Sequence, residues 1–264
     1  MQDSTGPAPK KRRFDLATVV RKTQLSPNMI RVTLKAPFIA DLPESSIGGH
    51  VKLVVPPVGP ELEEFRDAVE EGRFKQSLRT YTIRHIRPGR QEADIDFVAH
   101  GTEGIAGPWA MRAAPGDVIA MSRPGEAKLK KDGAARYLVA TDMAAFPAAA
   151  AGLETLPADA KGEAWFEILS ADDVQPLDAP VGIAVNWVVK SNPAEQSANL
   201  IRALKESPVN DDVRVFVAGE HAIAGELRDH FRHEKPVPKQ LLYVSSYWKR
   251  GLIEQEHKMV KVAV

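Results

Sequence analysis

Arg79-Thr80-Tyr81-Thr82-Ile83-Arg84 reads as a β-strand with a cation at each end and a tyrosine between two hydroxyls. Side chains of a strand alternate between faces, so Arg79, Tyr81 and Ile83 share one face while Thr80, Thr82 and Arg84 share the other. Guanidinium groups are planar forks that match phosphate oxygens, hydroxyls bond ring edges, and an aromatic ring offers a flat apolar surface. Together on one strand they suit a ligand that joins a flat heterocycle to phosphates, a description that a flavin nucleotide meets. An exposed strand with charged ends has the same composition, so the surrounding sequence has to decide.

Outward from this strand the first half of the chain reads as β. Candidate strands are Phe14–Lys22, Met29–Lys35, His50–Val55, Leu78–Arg87, Ala93–Ala99 and Asp117–Met121, separated by Ser26-Pro27-Asn28, Gly48-Gly49, Pro56-Pro57 and Arg87-Pro88-Gly89-Arg90. Short strands with this punctuation predict a small antiparallel barrel. Leu62, Phe65 and Val69 recur at helical spacing and predict a surface helix inserted over Glu61–Gly72. Across Arg123–Gly133 the pattern changes to a charged, glycine-bounded linker. Beyond it, apolar strands Tyr137–Thr141, Ala164–Leu169, Val181–Trp187, Val213–Ala218 and Leu241–Ser245 alternate with helices Ala144–Leu156, Pro193–Glu206, His221–Arg232 and Trp248–Lys261. That alternation predicts a mostly parallel sheet covered on both faces. The expected organisation is an antiparallel β-barrel domain over 14–131 and an α/β domain over 132–264. Residues 1–13, with Lys10-Lys11-Arg12-Arg13, are expected to be a disordered basic tail.

Composition removes several classes of function. Lys and Arg number 35, as do Asp and Glu, so the net charge is zero and a sequence-independent nucleic-acid binder is not expected. The 264 residues contain no cysteine, which excludes disulfides, catalytic thiols, thiolate zinc sites and cysteine-ligated iron–sulfur clusters. Redox chemistry would have to come from an organic cofactor or a bound metal complex. No segment is apolar and long enough to span a bilayer and the start lacks a secretory core, so a cytoplasmic protein without stable membrane insertion is expected. His50 and His100 lack the clustered spacing of metal ligands, and no metal site is expected.

Four further stretches carry chemistry. In His100-Gly101-Thr102-Glu103-Gly104-Ile105-Ala106-Gly107-Pro108-Trp109 a glycine-rich turn follows a strand and opens a helix, with Pro108 suited to its first turn, so backbone N–H groups can approach an anion. An ordinary glycine turn fits equally well. Thr141-Asp142 closes a strand before a helix, where Asp142 reads as an N-cap. Val217-Ala218-Gly219-Glu220 and Ser170-Ala171-Asp172-Asp173 also close strands, and ligands of open α/β sheets sit outside the carboxyl ends of the strands. An acid such as Asp172 there, meeting the ribose of a dinucleotide, would favour NADH over NADPH by repelling a 2′-phosphate. Finally, Ser246-Tyr247-Trp248-Lys249-Arg250-Gly251 sets adjacent aromatics before two cations, and Lys52 shares a strand face with His50.

These motifs, in this order, resemble the siderophore-interacting protein family of ferric-siderophore reductases, within the ferredoxin-reductase-like group. The resemblance runs through Arg-x-Tyr-Thr-Ile-Arg, the His-Gly…Gly-Pro turn, the Asp-x-x-Ala-x-Pro-Ala run at 142–148, Ala-Gly-Glu at 218–220 and Tyr-Trp-x-Arg-Gly at 247–251. It departs at Thr141 and Ser246, where the family has glycine, at Met143-Ala144-Ala145 for Glu-Thr-Ala, and at Lys249 for arginine. What it implies is a noncovalent FAD held by Arg79, Thr80, Tyr81, Thr82, His100, Gly101, Thr102, Gly104, Ala106, Gly107, Asp142 and Trp248. NADH or NADPH would lie beside Ser170, Asp172, Gly219 and Glu220, and an anionic ferric siderophore beside Lys52, Lys249 and Arg250. The implied reaction passes electrons from NAD(P)H, or from reduced ferredoxin, through the flavin to Fe(III), with no side chain acting as acid or base, in a monomer. Two other readings remain open: a flavin- or ferredoxin-reductase-type electron transferase serving a protein partner, and a siderophore-binding module without a cofactor.

Overall fold

In the N-terminal half, alternation of apolar and polar residues builds a closed sheet. The computed structural model describes residues 14–57, 59, 61–74, 77–99, 104–129, 133–190, 192, 197–210 and 212–252; the expected basic tail lies outside them. Strands β1 (Asp15–Ser26), β2 (Met29–Lys35), β3 (His50–Val54), β4 (Leu78–Thr82), β5 (His85–Arg87), β6 (Glu92–Val98) and β7 (Val118–Met121) pair antiparallel in the order β4-β3-β7-β1-β2-β6-β5. The outermost two, β4 and β5, are pieces of one segment. At its bend the Ile83 N–H donates to the Gly49 carbonyl at 2.9 Å and the Arg84 N–H to the Asp94 carbonyl at 2.8 Å, so the segment changes partners and closes the barrel. The single straight strand expected over Leu78–Arg87 is therefore two, because no straight strand can serve both edges.

Inside the barrel lie Val32, Leu34, Leu53, Ile83, Ile95, Phe97 and Ile119. Helix α1 (Leu62–Glu70) fills the expected insertion and buries Phe65 against Phe14, Val54 and Ala120. Helix α2 (Ala106–Arg112) follows β6 and covers one end of the barrel with Trp109. The outward positions of β6 are acidic, yet Glu92, Asp94 and Asp96 are buried. Register explains why. Arg31 stands opposite Asp96, Thr33 opposite Asp94, and Arg87 of β5 opposite Glu92. Arg31 grips Asp96 at 2.7 and 2.8 Å, and Arg87 grips Asp94 at 2.8 and 2.6 Å. Burial pushes the Asp94 carboxyl up, but bonds from Arg87, His85 and Thr33 more than reverse this and hold it well below the usual carboxylate range.

The second half forms the expected parallel sheet. Strands β8 (Arg136–Thr141), β9 (Lys161–Ile168), β10 (Gly182–Val189), β11 (Val213–Glu220) and β12 (Leu242–Trp248) are ordered β10-β9-β8-β11-β12. Helix α3 (Phe146–Leu153) covers one face, with Phe166 and Phe216; α4 (Ala198–Glu206) and α5 (His221–Asp229) cover the other. The helix expected from Trp248 onward does not begin there. Trp248 ends β12, whose ladder to β11 runs through Gly219↔Ser246 to Glu220↔Trp248, and Lys249–Gly251 form a turn. Tyr243, stacked 5.0 Å from Phe216, and the β-forming Tyr-Val-Ser-Ser-Tyr-Trp run favour the extended form. The remainder of that expected helix, 253–264, lies outside the described residues.

Among the described residues, contacts of three kinds join the two sheets. Met29 and Val98 of the barrel pack with Met143, Ile168 and Trp187. Arg84 forms a two-pronged ion pair with Glu154 at the end of α3, at 2.5 and 2.6 Å. Asp173, fully buried, accepts from Ser26 Oγ, the Asn28 backbone and Asn28 Nδ2 of the β1–β2 turn at 2.7, 2.9 and 2.8 Å, and from the Ser170 N–H at 3.0 Å. Burial raises the Asp173 carboxyl, but these donors outweigh it and the folded-state pKa falls below the ordinary value. Its stabilisation is therefore present above the unfolded pKa and lost as pH drops through the folded one. Asp173→Asn, which keeps the size but replaces one acceptor oxygen and the charge with an N–H donor that faces other donors, is expected to cost roughly 2–3 kcal/mol at neutral pH. Urea titrations against pH check this: the gap to wild type should close below about pH 4.

Candidate functional site

The chain reverses its direction of winding between β8 and β11, the neighbours at the centre of the parallel sheet, which makes the carboxyl ends of these strands the crevice where such folds bind ligands. Thr141-Asp142 ends β8, Gly219-Glu220 ends β11, and Trp248 ends the adjacent β12. All three ends meet on one carboxylate. Asp142 Oδ2 accepts the Trp248 indole N–H at 2.7 Å and the Glu220 backbone N–H at 2.9 Å, while Oδ1 accepts the Ala145 N–H at 3.1 Å. The last bond ties Asp142 to the turn before α3 but does not make it the expected N-cap, because the cap position is Ala145 and no side chain caps it; the other two span the sheet. Burial raises the Asp142 carboxyl, the Trp248, Ala145 and Glu220 donors oppose the rise, and Glu167 adds to it, leaving a pKa of about 6. Gly219 is the residue this arrangement requires. A Cβ there would stand 2.7 Å from Asp142 Oδ2, and its φ of +150° is a conformation side chains rarely adopt.

The barrel supplies the other half. Tyr81 lies 4.4 Å from Phe97, and Phe97 lies 5.6 Å from Trp109 of α2, so one aromatic run joins the Arg-Thr-Tyr-Thr strand to the helix after the glycine turn. Thr80 faces Lys52 across β3–β4, where the Lys52 ammonium bonds its hydroxyl; Thr82 stands opposite His50. Arg79 is half-buried and donates to the Leu78 carbonyl at 2.9 Å. Gly104 takes a φ of +77°, and Ile105 at the head of α2 offers no side-chain cap to the first-turn amides. His100, Gly101 and Thr102 lie outside the described residues. Gly107 is needed for close packing, since a Cβ would sit 3.0 Å from the Val98 carbonyl. Val98 in turn touches the cluster containing Met143, the residue after Asp142, so the end of β6 and the crevice corner are neighbours.

The residues present fit a flavin dinucleotide. A guanidinium, two hydroxyls and uncapped amides at a glycine turn form an anion-seeking donor set, and the buried Thr141 Oγ1 has no hydrogen-bond partner among the described residues. Other predicted residues separate from this corner. Ser170 caps a short 3₁₀ turn beyond β9, accepting from the Asp172 N–H at 3.2 Å, and Asp172 is exposed. Arg250 is exposed, with its backbone N–H 3.4 Å from Glu220 Oε1, and Lys249 is half-buried in the same turn. Arg84, the second cation of the motif strand, points to Glu154 and not to the threonine face. Asp173 was visible in sequence as the fourth position of a Ser-x-x-Asp capping box, whereas its barrel partners were not.

Comparison with known proteins agrees with this geometry. Residues 18–128 match the family model of the siderophore-interacting FAD-binding domain, and residues 134–251 match that of siderophore-interacting protein. The chain is 31% identical over 249 residues to the ferric vibriobactin reductase ViuB of Vibrio cholerae, covering 92% of each. It is 28% identical over 244 residues to the NADPH-dependent ferric-chelate reductase of Escherichia coli, covering 89% of this chain and 93% of that one. The crystal structure of the siderophore-interacting protein SipS from Aeromonas hydrophila superposes with a TM-score of 0.84 at 31% identity, over 96% of this chain and 98% of that one. Ferredoxin reductases at 14% identity share the fold alone.

Gly219→Ala sets a methyl group against the Asp142 carboxylate and strains the backbone. A loss of roughly 1–3 kcal/mol in unfolding free energy is expected. Trp248 should move with the displaced carboxylate, which near-ultraviolet circular dichroism reads.

Proposed function

Because the chain belongs to the siderophore-interacting protein family, we propose that it is a flavin-dependent ferric-siderophore reductase that uses NAD(P)H to reduce siderophore-bound Fe(III) and so release Fe(II) for assimilation. The observation that carries the reading is the junction of the two sheets, where Val98, at the end of β6, packs with Met143 beside the switch-point corner at Asp142. In this reading the barrel over 14–131 is the flavin domain and the α/β half over 132–264 the nucleotide domain. When bound, FAD supplies two-electron chemistry toward the nicotinamide and one-electron chemistry toward iron.

The chain's own residues bind, orient and attract. Arg79 holds phosphate, Thr80, Tyr81 and Thr82 border the flavin ring, and the amides of the 100–107 turn take the pyrophosphate. Trp248 closes the ring edge. Gly219 and Glu220, at the end of β11, lie on the nicotinamide side, and Ser170 and Asp172 stand at the ribose. Lys52, Lys249 and Arg250 draw in the anionic ferric chelate. Hard siderophore oxygens hold Fe(II) less tightly than Fe(III), so reduction alone loosens the metal and no side chain need act as acid or base. We take the protein to be a cytoplasmic monomer, with reduced ferredoxin as the alternative donor. No helix among the described residues is long and apolar enough to cross a membrane.

The purified protein should carry flavin absorption bands through desalting and oxidise NADH anaerobically beyond one equivalent per flavin only when a ferric chelate is supplied. A colourless protein that takes up no FAD would overturn the reading. Lys249→Ala together with Arg250→Ala should raise the chelate KM roughly tenfold while flavin content stays the same. With Asp172 at the ribose, NADH should be used faster than NADPH, and Asp172→Ser should narrow the difference; stopped-flow rates with the two donors check it.

A further inference from the structure

The Lys249-Arg250 pair is tied twice to one buried acid. Before it, the Trp248 indole donates to Asp142 Oδ2 at 2.7 Å. Within it, the Arg250 backbone N–H lies 3.4 Å from Glu220 Oε1, and the Glu220 backbone N–H donates to the same Asp142 oxygen at 2.9 Å. Glu220 Oε2 is held in turn by the Ala222 N–H at 2.5 Å. A turn closes the pair, with the Leu252 N–H donating to the Lys249 carbonyl at 3.2 Å. The acid itself is 7% exposed, and the crowding at Gly219 leaves no slack around it. Each Asp142 oxygen is occupied by protein donors from the ends of β8, β11 and β12, an arrangement suited to fixing those ends and not to holding a ligand.

We propose that Asp142 is a positioning residue: it acts on the substrate through Trp248 and Glu220, by orienting the turn that presents Lys249 and Arg250 to the anionic ferric chelate. This replaces a direct contact of Asp142 with the flavin and rests on the reductase reading. Its energetic logic is local. A lysine and an arginine in a loose turn lose rotational freedom when they engage a chelate, whereas a turn tied at two points has lost much of it already. The indole bond also makes the arrangement visible, because protonating the carboxylate removes an acceptor from Trp248. The titratable groups around Asp142 are Glu220 on β11, Glu167 on β9 and Tyr247 on β12, and burial holds the Tyr247 phenol well above its ordinary pKa, outside the acidic range.

The test uses the FAD-loaded full chain, with Asp142→Asn, Trp248→Phe and the double variant, and ferric tris(2,3-dihydroxybenzoate) as the chelate. Asp142→Asn should retain its FAD and show a chelate KM raised roughly five- to tenfold, with kcat changed by less than about twofold. Trp248→Phe, which keeps an aromatic ring at the flavin edge and loses only the indole N–H, should raise KM similarly, and the double variant should be no worse than the worse single, since both remove one device. Independently of turnover, wild-type tryptophan emission should titrate with a midpoint of about 6, and the titration should vanish in both single variants. FAD loss in Asp142→Asn, a wild-type KM, multiplying effects in the double variant, or a titration that survives Asp142→Asn each overturn the proposal. A wild-type protein that reduces no ferric chelate defeats the reductase reading instead, and the emission titration then still decides whether Asp142 governs Trp248.

Discussion

At Ile83-Arg84 the backbone stops pairing with Gly49 and begins pairing with Asp94, and much of the molecule depends on that change of partner. A sheet with two open edges exposes rows of unpaired amides and carbonyls. Here the same ten-residue segment, from Leu78 to Arg87, occupies both edges, so one continuous stretch of chain joins them. The bend has a second effect. It turns the Arg84 side chain away from the threonine face and into the α/β half, where Glu154 receives it. Barrel closure and the joining of the two sheets are thus consequences of one local event. Unpaired, a buried guanidinium would be costly; two-pronged pairing makes the burial tolerable.

The opposite side of the junction is organised around carboxylates in two electrostatic states. Asp94 and Asp173 are surrounded by donors and cations that hold them ionised, so they work as permanent struts. Asp142 has only neutral donors and a distant acid for company, and burial leaves its pKa near 6. The contrast follows from what each acid was given as a partner. A strut lies in the barrel wall or at the inter-sheet contact, while the acid that can change state near neutrality lies where the strand ends form the ligand crevice. The family's reaction needs a rigid frame around a cofactor and a surface that receives a charged chelate, and this division supplies both.

Much of this was legible from local pattern. Alternation marked the strands of the barrel, and the change to βα alternation after residue 123 marked the parallel sheet, because each depends only on the spacing of neighbouring side chains. Where reading by pattern failed, a distant partner had intervened. The β-forming run up to Tyr247 and Trp248 hints at extension, but only pairing with β11 fixes that their strand runs on through Trp248 in place of the expected helix start. Arg84 looks like a ligand cation until Glu154, seventy positions later, is seen against it. The capping-box spacing from Ser170 sets Asp173 apart from Asp172 locally, but only the fold shows that one is exposed and the other fully buried under the β1–β2 turn.

The sequence by itself determined the two-part architecture, the order of the motifs and the kind of chemistry they could serve, since residue type and spacing dictate secondary structure and the range of groups each strand can offer. The tertiary structure decided which of those groups are spent on the protein and which remain for a ligand. That choice belongs to no local segment. It depends on which donors stand within about 3 Å of each carboxylate and guanidinium once the chain has closed, and hydrogen bonds at that distance are made between residues that folding alone brings together.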